Sequence, residues 1–533
     1  MHPKQIVFGE EARQKLLSGV TTMARAVTTT LSPKGRNVAL GQPFFNTPKV
    51  LHDGVSVAKE IILEDPFENM GALLAREAAE RTNDEVGDGT TTAILLTHKI
   101  TELGMRFVNN GANPMLMKNG IDRAVAEMTK AIKKIAQPLK HEDWLKVATI
   151  SAQNELIGRK IVEALELVGE NGMIEVQDGK STEIVIEHKE GLTYDSGYLS
   201  PYFCKGPQDL TAEIKDAYVL LTDQYIKSFE DFMPLLEKFT KVSKDLVVIA
   251  EAVEEDALNG MIINKLQSRL NVLIVRAPYY GARRRAMMRD IAVVTGGKVV
   301  SEAMNMRLSD PNVIEYLGRA EMVRADKNTT SIIGGKGEAK AIEDHVAAVK
   351  AELAAASQPH EVEAAKIRLA KLTGGVALIQ VGASSESEMK NLQERVIDAK
   401  GATQAAIRSG IVAGGGVTLI RAAAKCLPQM KGANPDEDNG IRLIHQVVYE
   451  PLLLLAKNAG KDPGAVMNEV MRQRNDTHGY NVLTDEYGDM LKMGIIEPAQ
   501  LAIASLKYAA SAASMILTTD CLVNDSPEVK KNG

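Results

Sequence analysis

Helical periodicity opens this chain, gives way to alternating strand-like and helical segments, and then returns. That nested order constrains the fold more than any single motif. From Glu10 to Thr30 apolar residues recur at helical spacing, and the run stops in TTTLSPKGRN, where Pro33 and Gly35 end it. VALG and KVLHDG read as short strands around a turn that carries His52, Asp53 and Gly54. Helices are predicted from Ser56 to about Ile135, interrupted at Gly87-Asp88-Gly89 and at Asn113-Pro114. After Pro138 the character changes, and GMIEVQ and EIVIEHKEG read as strands. From Gly191 to about Leu372 the runs YVLLT, LVVIAE, VLIVRAP and IAVVTGG alternate with helical ones, an α/β signature. Two charged helices joined around Pro359 close that stretch, and Gly374-Gly375 mirrors Gly191 as a second joint. VALIQVG then reads as a strand and SEMKNLQERVIDAKGATQAAIRSG as a long helix. Ala-rich helices return from Ile411, with a Gly-rich turn at Gly414 to Gly416. The plan is a helical block, a connector, an α/β insertion, the connector again and the helical block again.

A chain of 533 residues is too long for one core. Aromatic residues are 4%, with Trp144 the single tryptophan, so the cores are expected to be built from Ala, Val, Ile, Leu and Met. The formal charge of −6 gives no reason to expect nucleic acid or an acidic membrane as a partner. Cys204, Cys426 and Cys521 are far apart and odd in number, which fits neither a disulfide framework nor a zinc site. No targeting pattern precedes MHPKQIVFG, and no apolar run reaches the ~18 residues of a membrane span. The expectation is a cytoplasmic protein.

VGDGTTTA, Val86 to Ala93, is the stretch richest in chemistry. Gly87-Asp88-Gly89 breaks two helices, and Thr90 to Thr92 open the second, whose free N–H groups and dipole make a site for an anion. Asp88 would repel a bare phosphate but suits one that carries Mg²⁺. The same stretch also reads as an ordinary Asp-Gly turn with a threonine cap. There is no GxxxxGK[ST] and no intact GxGxxG, so a nucleotide site here is neither a P-loop nor a Rossmann site. Instead the chain scatters turn elements, TTTLSPKG, LHDG, GDGTTT, AGGG and GYNVLT, that together supply the parts of a phosphate cradle. Asp398 sits in mid-helix, either on a solvated face or aimed at a water that attacks a γ-phosphate. Phe229, Phe232, Met233, Leu236 and Phe239, with Leu258, Met261, Ile262 and Leu266, lie at helical spacing. They read either as core faces or as an apolar groove for promiscuous partners. Arg283-Arg284-Arg285 reads as a solvated or salt-bridging face.

Those motifs, in this order, resemble the group I chaperonins of the bacterial GroEL type. The resemblance runs from about Ile6 to Pro527, carried by LSPKGRNV, DGVSVAKEI, EDPFENMGA, VGDGTTTA, ANPMLMKNGID, SGYLSPYF, VAGGGVTLIRAA, HGYNVLTDEYGDM and KYAASAASMILTTDCLV. It implies a multidomain α and α/β fold. A largely helical equatorial ATP-binding domain takes residues 1–135 and 409–533, a small intermediate hinge domain 136–190 and 375–408, and an α/β apical domain 191–374. It implies an ATP hydrolase, in homo-oligomeric rings of seven, that captures unfolded polypeptides on apical apolar surfaces and encloses them under a co-chaperonin lid. An ATP-binding ring that acts as a holdase or scaffold without encapsulation is the alternative.

Carried over by position, the nucleotide site falls on Thr30, Leu31, Ser32, Pro33, His52, Asp88, Gly89, Thr90, Thr91, Thr92, Gly415, Asn481, Val482, Leu483 and Glu497. Asp88 would hold Mg²⁺, and K⁺ is a further candidate cation. Asp398 would swing in to orient the attacking water, with Asp53 on the other side. Clients would meet Tyr198, Tyr202, Phe203, Met233, Leu236, Leu258, Ile262, Ile263 and Asn264. The chain departs from the family pattern at several positions. Ser32 stands for a glycine, His52 for a lysine and Glu497 for an aspartate. Where two rings join, Leu453 stands for an arginine and Asp462 for a glutamate. The C-terminus DSPEVKKNG lacks Gly-Gly-Met repeats.

Overall fold

A computed structural model describes residues 3–41, 49–51, 53–170, 172–179, 181–204, 210–356, 358–473 and 475–525. The chain divides into two compact units. The first joins Met1–Val162, Asp178–Glu183 and Val381–Gly533, and the second joins Glu163–Gln177 and Ile184–Gln380.

The first unit is helical, and it is built from both chain ends. The Gly9–Val27 helix packs on Pro66–Val86, while Ala499–Thr518 packs on Pro66–Val86, Thr90–Asn109 and Pro114–Ile135. Their apolar stripes share one core that includes Leu16, Met23, Ile94, Ile100, Met117, Ile444, Leu506 and Ile516. The ends are also tied directly, since strand Lys4–Phe8 pairs antiparallel with Cys521–Asp525. Ala499–Thr518 is long and apolar enough to cross a membrane by length and composition, contrary to the sequence expectation. Most of it is buried inside this core.

Local chemistry sets the helix boundaries. The helical run expected from Ser56 has one break more than predicted. Gly54–Glu60 ends early, and Asp65 caps Pro66–Val86 by accepting from the N–H groups of Phe67 (2.9 Å) and Glu68 (3.1 Å). Asp-Pro carried that signal, since proline is tolerated at a helix's first position and an aspartate before it caps. Asn113 caps Pro114–Ile135 in the same way. The returning arm also holds a hairpin, His478–Asn481 with Glu486–Asp489, among its helices.

The second unit is an α/β sheet in the order Gly191–Tyr194, Thr330–Gly335, Gly318–Ala325, Ala212–Ile226, Asp245–Val253, Asn271–Arg276. Its first strands pair antiparallel and its last three parallel. The fully buried runs LVVIA and VLIV are the mark of parallel strands covered on both faces. IAVVTGG is not a strand as predicted. It is the end of the Gly281–Thr295 helix, capped by Gly296 in the left-handed region. Met287, Met288, Ile291, Ala292 and Val294 form that helix's buried face, so a β-branched run here follows packing and not propensity. The helices Ala339–Ala355 and Pro359–Gly374 flank Pro359 as expected. Arg368 and His345 from these two helices meet the buried Asp290 of Gly281–Thr295.

Candidate functional site

Within the helical unit, turns from both arms of the chain converge on a cavity of about 490 Å³. After Gly9–Val27 the chain makes a short 3-10 turn, Thr28–Thr30, and runs through Leu31, Ser32 and Pro33 along the cavity wall. Ser32 takes φ +85°, the left-handed region that a glycine would enter without strain. Asn458 holds this loop in place, its Nδ2 donating to the carbonyls of Thr28 (3.1 Å) and Leu31 (3.0 Å). Asp53 caps Gly54–Glu60, its Oδ2 accepting from Ser56 N at 2.8 Å.

The central loop is Gly87-Asp88-Gly89. Gly87 ends Pro66–Val86 at φ +79°, and Gly89 starts Thr90–Asn109 at φ +84° without a side-chain cap. The second helix therefore presents its first N–H groups, with Thr90, Thr91 and Thr92, to the cavity. Thr30 Oγ1 and Thr91 Oγ1 lie 3.5 Å apart. Asp88 accepts from its neighbour Gly89 N (2.6 Å) and from Ser151 Oγ (2.8 Å), on the Trp144–Ala152 helix. Gly415 comes from the Gly-rich turn, Asn481, Val482 and Leu483 from the hairpin end, and Glu497 from a short strand paired with Ile411–Ala413. Asp398 reaches the same cavity from the Glu386–Ser409 helix. Glu394, one turn earlier on that helix, accepts from Ser56 Oγ at 3.0 Å.

The electrostatics are dominated by carboxylates that burial and their neighbours shift upward. Burial pushes Asp88 up, opposed by its two hydrogen bonds and reinforced by Asp53. Burial pushes Asp398 well above the usual carboxylate range, and Asp53, Asp88 and Glu394 add to it against Arg395. Burial, and then the Asp88 charge, push Glu497 up to about 8. Among the described residues no group of three or more His, Cys, Asp or Glu side chains forms a metal site by itself. Mg²⁺ takes one or two carboxylates and completes its shell with water and phosphate oxygens. Asp88, an oxygen donor held by two hydrogen bonds beside the uncapped start of Thr90–Asn109, fits it.

The cavity thus brings together Thr30 to Pro33, Asp53, Asp88 to Thr92, Asp398, Gly415, Asn481 to Leu483 and Glu497. His52 lies outside the described residues. Sequence reading missed Ser151, Asn458, Ser56 and Glu394. Ser151 sits 63 positions from Asp88 and Asn458 more than 400 from the loop it holds, so no local pattern exposes either.

The residues expected to meet clients lie in the α/β unit and differ in burial. Tyr202, Met233 and Ile263 are exposed, while Tyr198, Leu258 and Asn264 are half-buried. Phe203, Leu236 and Ile262 are buried in the core of this unit, which also holds Phe232, Phe239 and Met261. The exposed Met233 and Ile263 lie on the helices Met233–Phe239 and Glu255–Leu266.

A model of the TCP-1/cpn60 chaperonin family matches residues 23–527. The chaperonin gp146 from the bacteriophage EL 2 (Pseudomonas aeruginosa), crystallised in the presence of ATP-BeFx, has a similar structure. In one crystal form the TM-score is 0.72, at 23% identity, covering 98% of this chain and 99% of that one. A second crystal form gives 0.63 at the same identity and coverage.

Proposed function

The chain belongs to the TCP-1/cpn60 chaperonin family, and we propose that it works as an ATP-hydrolysing chaperonin that captures and encloses unfolded polypeptides. The observation that carries the nucleotide reading is the single cavity shared by Thr30 to Pro33, Asp88 to Thr92, Asp398, Asn481 to Leu483 and Glu497. Phosphates fit the uncapped start of Thr90–Asn109, where backbone N–H groups and threonine hydroxyls point inward. Asp88 would hold Mg²⁺, which supplies charge neutralisation at the phosphate oxygens. Asp398 then orients the attacking water, with Asp53 opposite, and Glu497 and the hairpin end take the nucleoside. Solution of gp146 with ATP-BeFx, in the same fold, supports a nucleotide here.

The proposal extends to the wider cycle. Equatorial segments 1–135 and 409–533, intermediate segments 136–190 and 375–408 and an apical segment 191–374 form one subunit of a seven-membered cytoplasmic ring. Exposed apical side chains, Tyr202, Met233 and Ile263 first, take apolar client segments, each Å² of apolar area buried contributing roughly 25 cal/mol. A co-chaperonin lid then competes for the same surface.

Asp398→Ala tests the site directly. The variant should bind ATP with nearly the parent Kd and lose turnover by about 10² or more, because water orientation matters on the way to the transition state. Parent-like kcat would remove Asp398 from the mechanism.

A further inference from the structure

Glycine is a poor choice inside a helix, since it costs backbone entropy and packs nothing. Gly401 nevertheless lies within the 24-residue helix Glu386–Ser409. The surroundings give a reason. A Cβ placed on Gly401 would lie 2.8 Å from Gly87 Cα and 2.9 Å from the Val86 carbonyl oxygen. A Cβ placed on Gly87 would lie 2.8 Å from Gly401 Cα. The obstacles are backbone atoms on both sides, so no rotamer change relieves the clash. Here the helix and the loop touch backbone to backbone.

The contact falls between two functional side chains. Gly87 immediately precedes Asp88, and Gly401 follows Asp398 by one turn on the same helix. Small residues on the helix complete the approach: Ala405 packs with Val86, and Ala402 and Ala406 pack with Val147. We propose that Gly401 and Gly87 form a positioning contact that seats the Asp398 helix on the Asp88 loop and so sets the separation of the two carboxylates. This rests on the reading that Asp398 orients the attacking water. Neither glycine is a catalytic residue, since neither carries a group that reaches the reacting atoms.

The test is Gly401→Ala, alone and combined with Asp398→Ala, measured by nucleotide binding, thermal unfolding and single-turnover hydrolysis. Alanine is the better helix former, so the helix itself is not weakened. Its methyl group needs roughly 0.7 Å more room to reach the optimal carbon separation of about 3.5 Å, and misplacement on the order of 1 Å costs up to about 10²-fold in rate. The expected result for Gly401→Ala is a hydrolysis rate lowered roughly 10- to 100-fold, with ATP Kd near the parent's and a cooperative unfolding transition retained, the forced shift costing some melting temperature. The double variant should be no slower than Asp398→Ala alone, because both changes remove one function. A parent-like rate in Gly401→Ala, beside a slow Asp398→Ala, overturns the positioning contact and leaves the hydrolysis reading intact. A parent-like rate in Asp398→Ala overturns the hydrolysis reading itself. Multiplying losses in the double variant, or failure of Gly401→Ala to fold, also overturns the inference, because the contact would then serve something other than Asp398.

Discussion

Replacing Glu497 with glutamine removes one carboxyl while keeping its shape, and the site sets the expected size of the effect. Burial, and then the Asp88 charge, push Glu497 up to about 8 from an ordinary 4.5. Between those values the folded chain holds the proton and the unfolded chain has lost it. Stability therefore falls as pH rises from about 4.5 to about 8 and is flat above, the unfolded state binding fewer protons throughout the interval. The full interval corresponds to about 5 kcal/mol at ~1.4 kcal/mol per unit. Glu497 borders the cavity and is only half-buried, so water there screens the charge and a fraction of that is expected. Glu497→Gln has no proton to lose. Thermal unfolding of the nucleotide-free protein in steps from about pH 5.5 to 8.5 should show the parent losing stability relative to the variant as pH rises. Parallel pH profiles would refute a Glu497 held protonated in the folded chain.

Three further outcomes follow from the same geometry. Asn458→Ala removes two hydrogen bonds worth ~0.5–1.5 kcal/mol each from the Thr28 to Leu31 carbonyls, so ATP Kd should rise roughly ten-fold, and an unchanged Kd in a calorimetric titration would free the loop from that dependence. Ile263→Glu puts a charge on the exposed edge where an apolar client must desolvate it, so client capture should fail while basal ATPase persists. Aggregation suppression at parent levels would move the client surface elsewhere. At the position where family rings pair, Leu453 brings no charge, Asp462 is engaged in capping Pro463–Arg472 (2.7 Å to Ala465 N), and Lys461 pairs with Asp485. Single rings should therefore populate at least one nucleotide state in native mass spectrometry, and fourteen-subunit particles in the apo, ADP and ATP states alike would contradict this.

What the sequence made legible was local. Gly87-Asp88-Gly89 with three threonines announces a helix break and an uncapped helix start, because dihedral freedom and free N–H groups are properties of a few adjacent residues. The nested order of helical and α/β segments likewise announced a helical unit built from both ends. Where two local signals competed, packing decided. IAVVTGG had strand propensity but buries a helical face, and Leu236 and Ile262, whose spacing allowed either a core face or a groove, are buried in the core. The remainder was invisible because it lives in distant pairs. Ser151 on Asp88, Asn458 on the Thr28 to Leu31 turn and Gly401 against Gly87 depend on which segments meet, and one sequence carries no record of that. Asp398 lay between the two cases. Its pattern allowed a solvated face, and only the cavity shows it turned inward among other carboxylates.

The central claim is that nucleotide turnover drives folding. The most direct measurement is the yield of native client when a denatured, aggregation-prone protein is diluted into the purified chain, with and without ATP and Mg²⁺, beside Asp398→Ala and with any required lid supplied. The account predicts ATP-dependent recovery of native client above the spontaneous yield, with the Asp398→Ala protein capturing client but failing to sustain repeated rounds. Equal suppression of aggregation with and without ATP, no gain in native client and no hydrolysis by the parent protein would contradict it and leave a holdase.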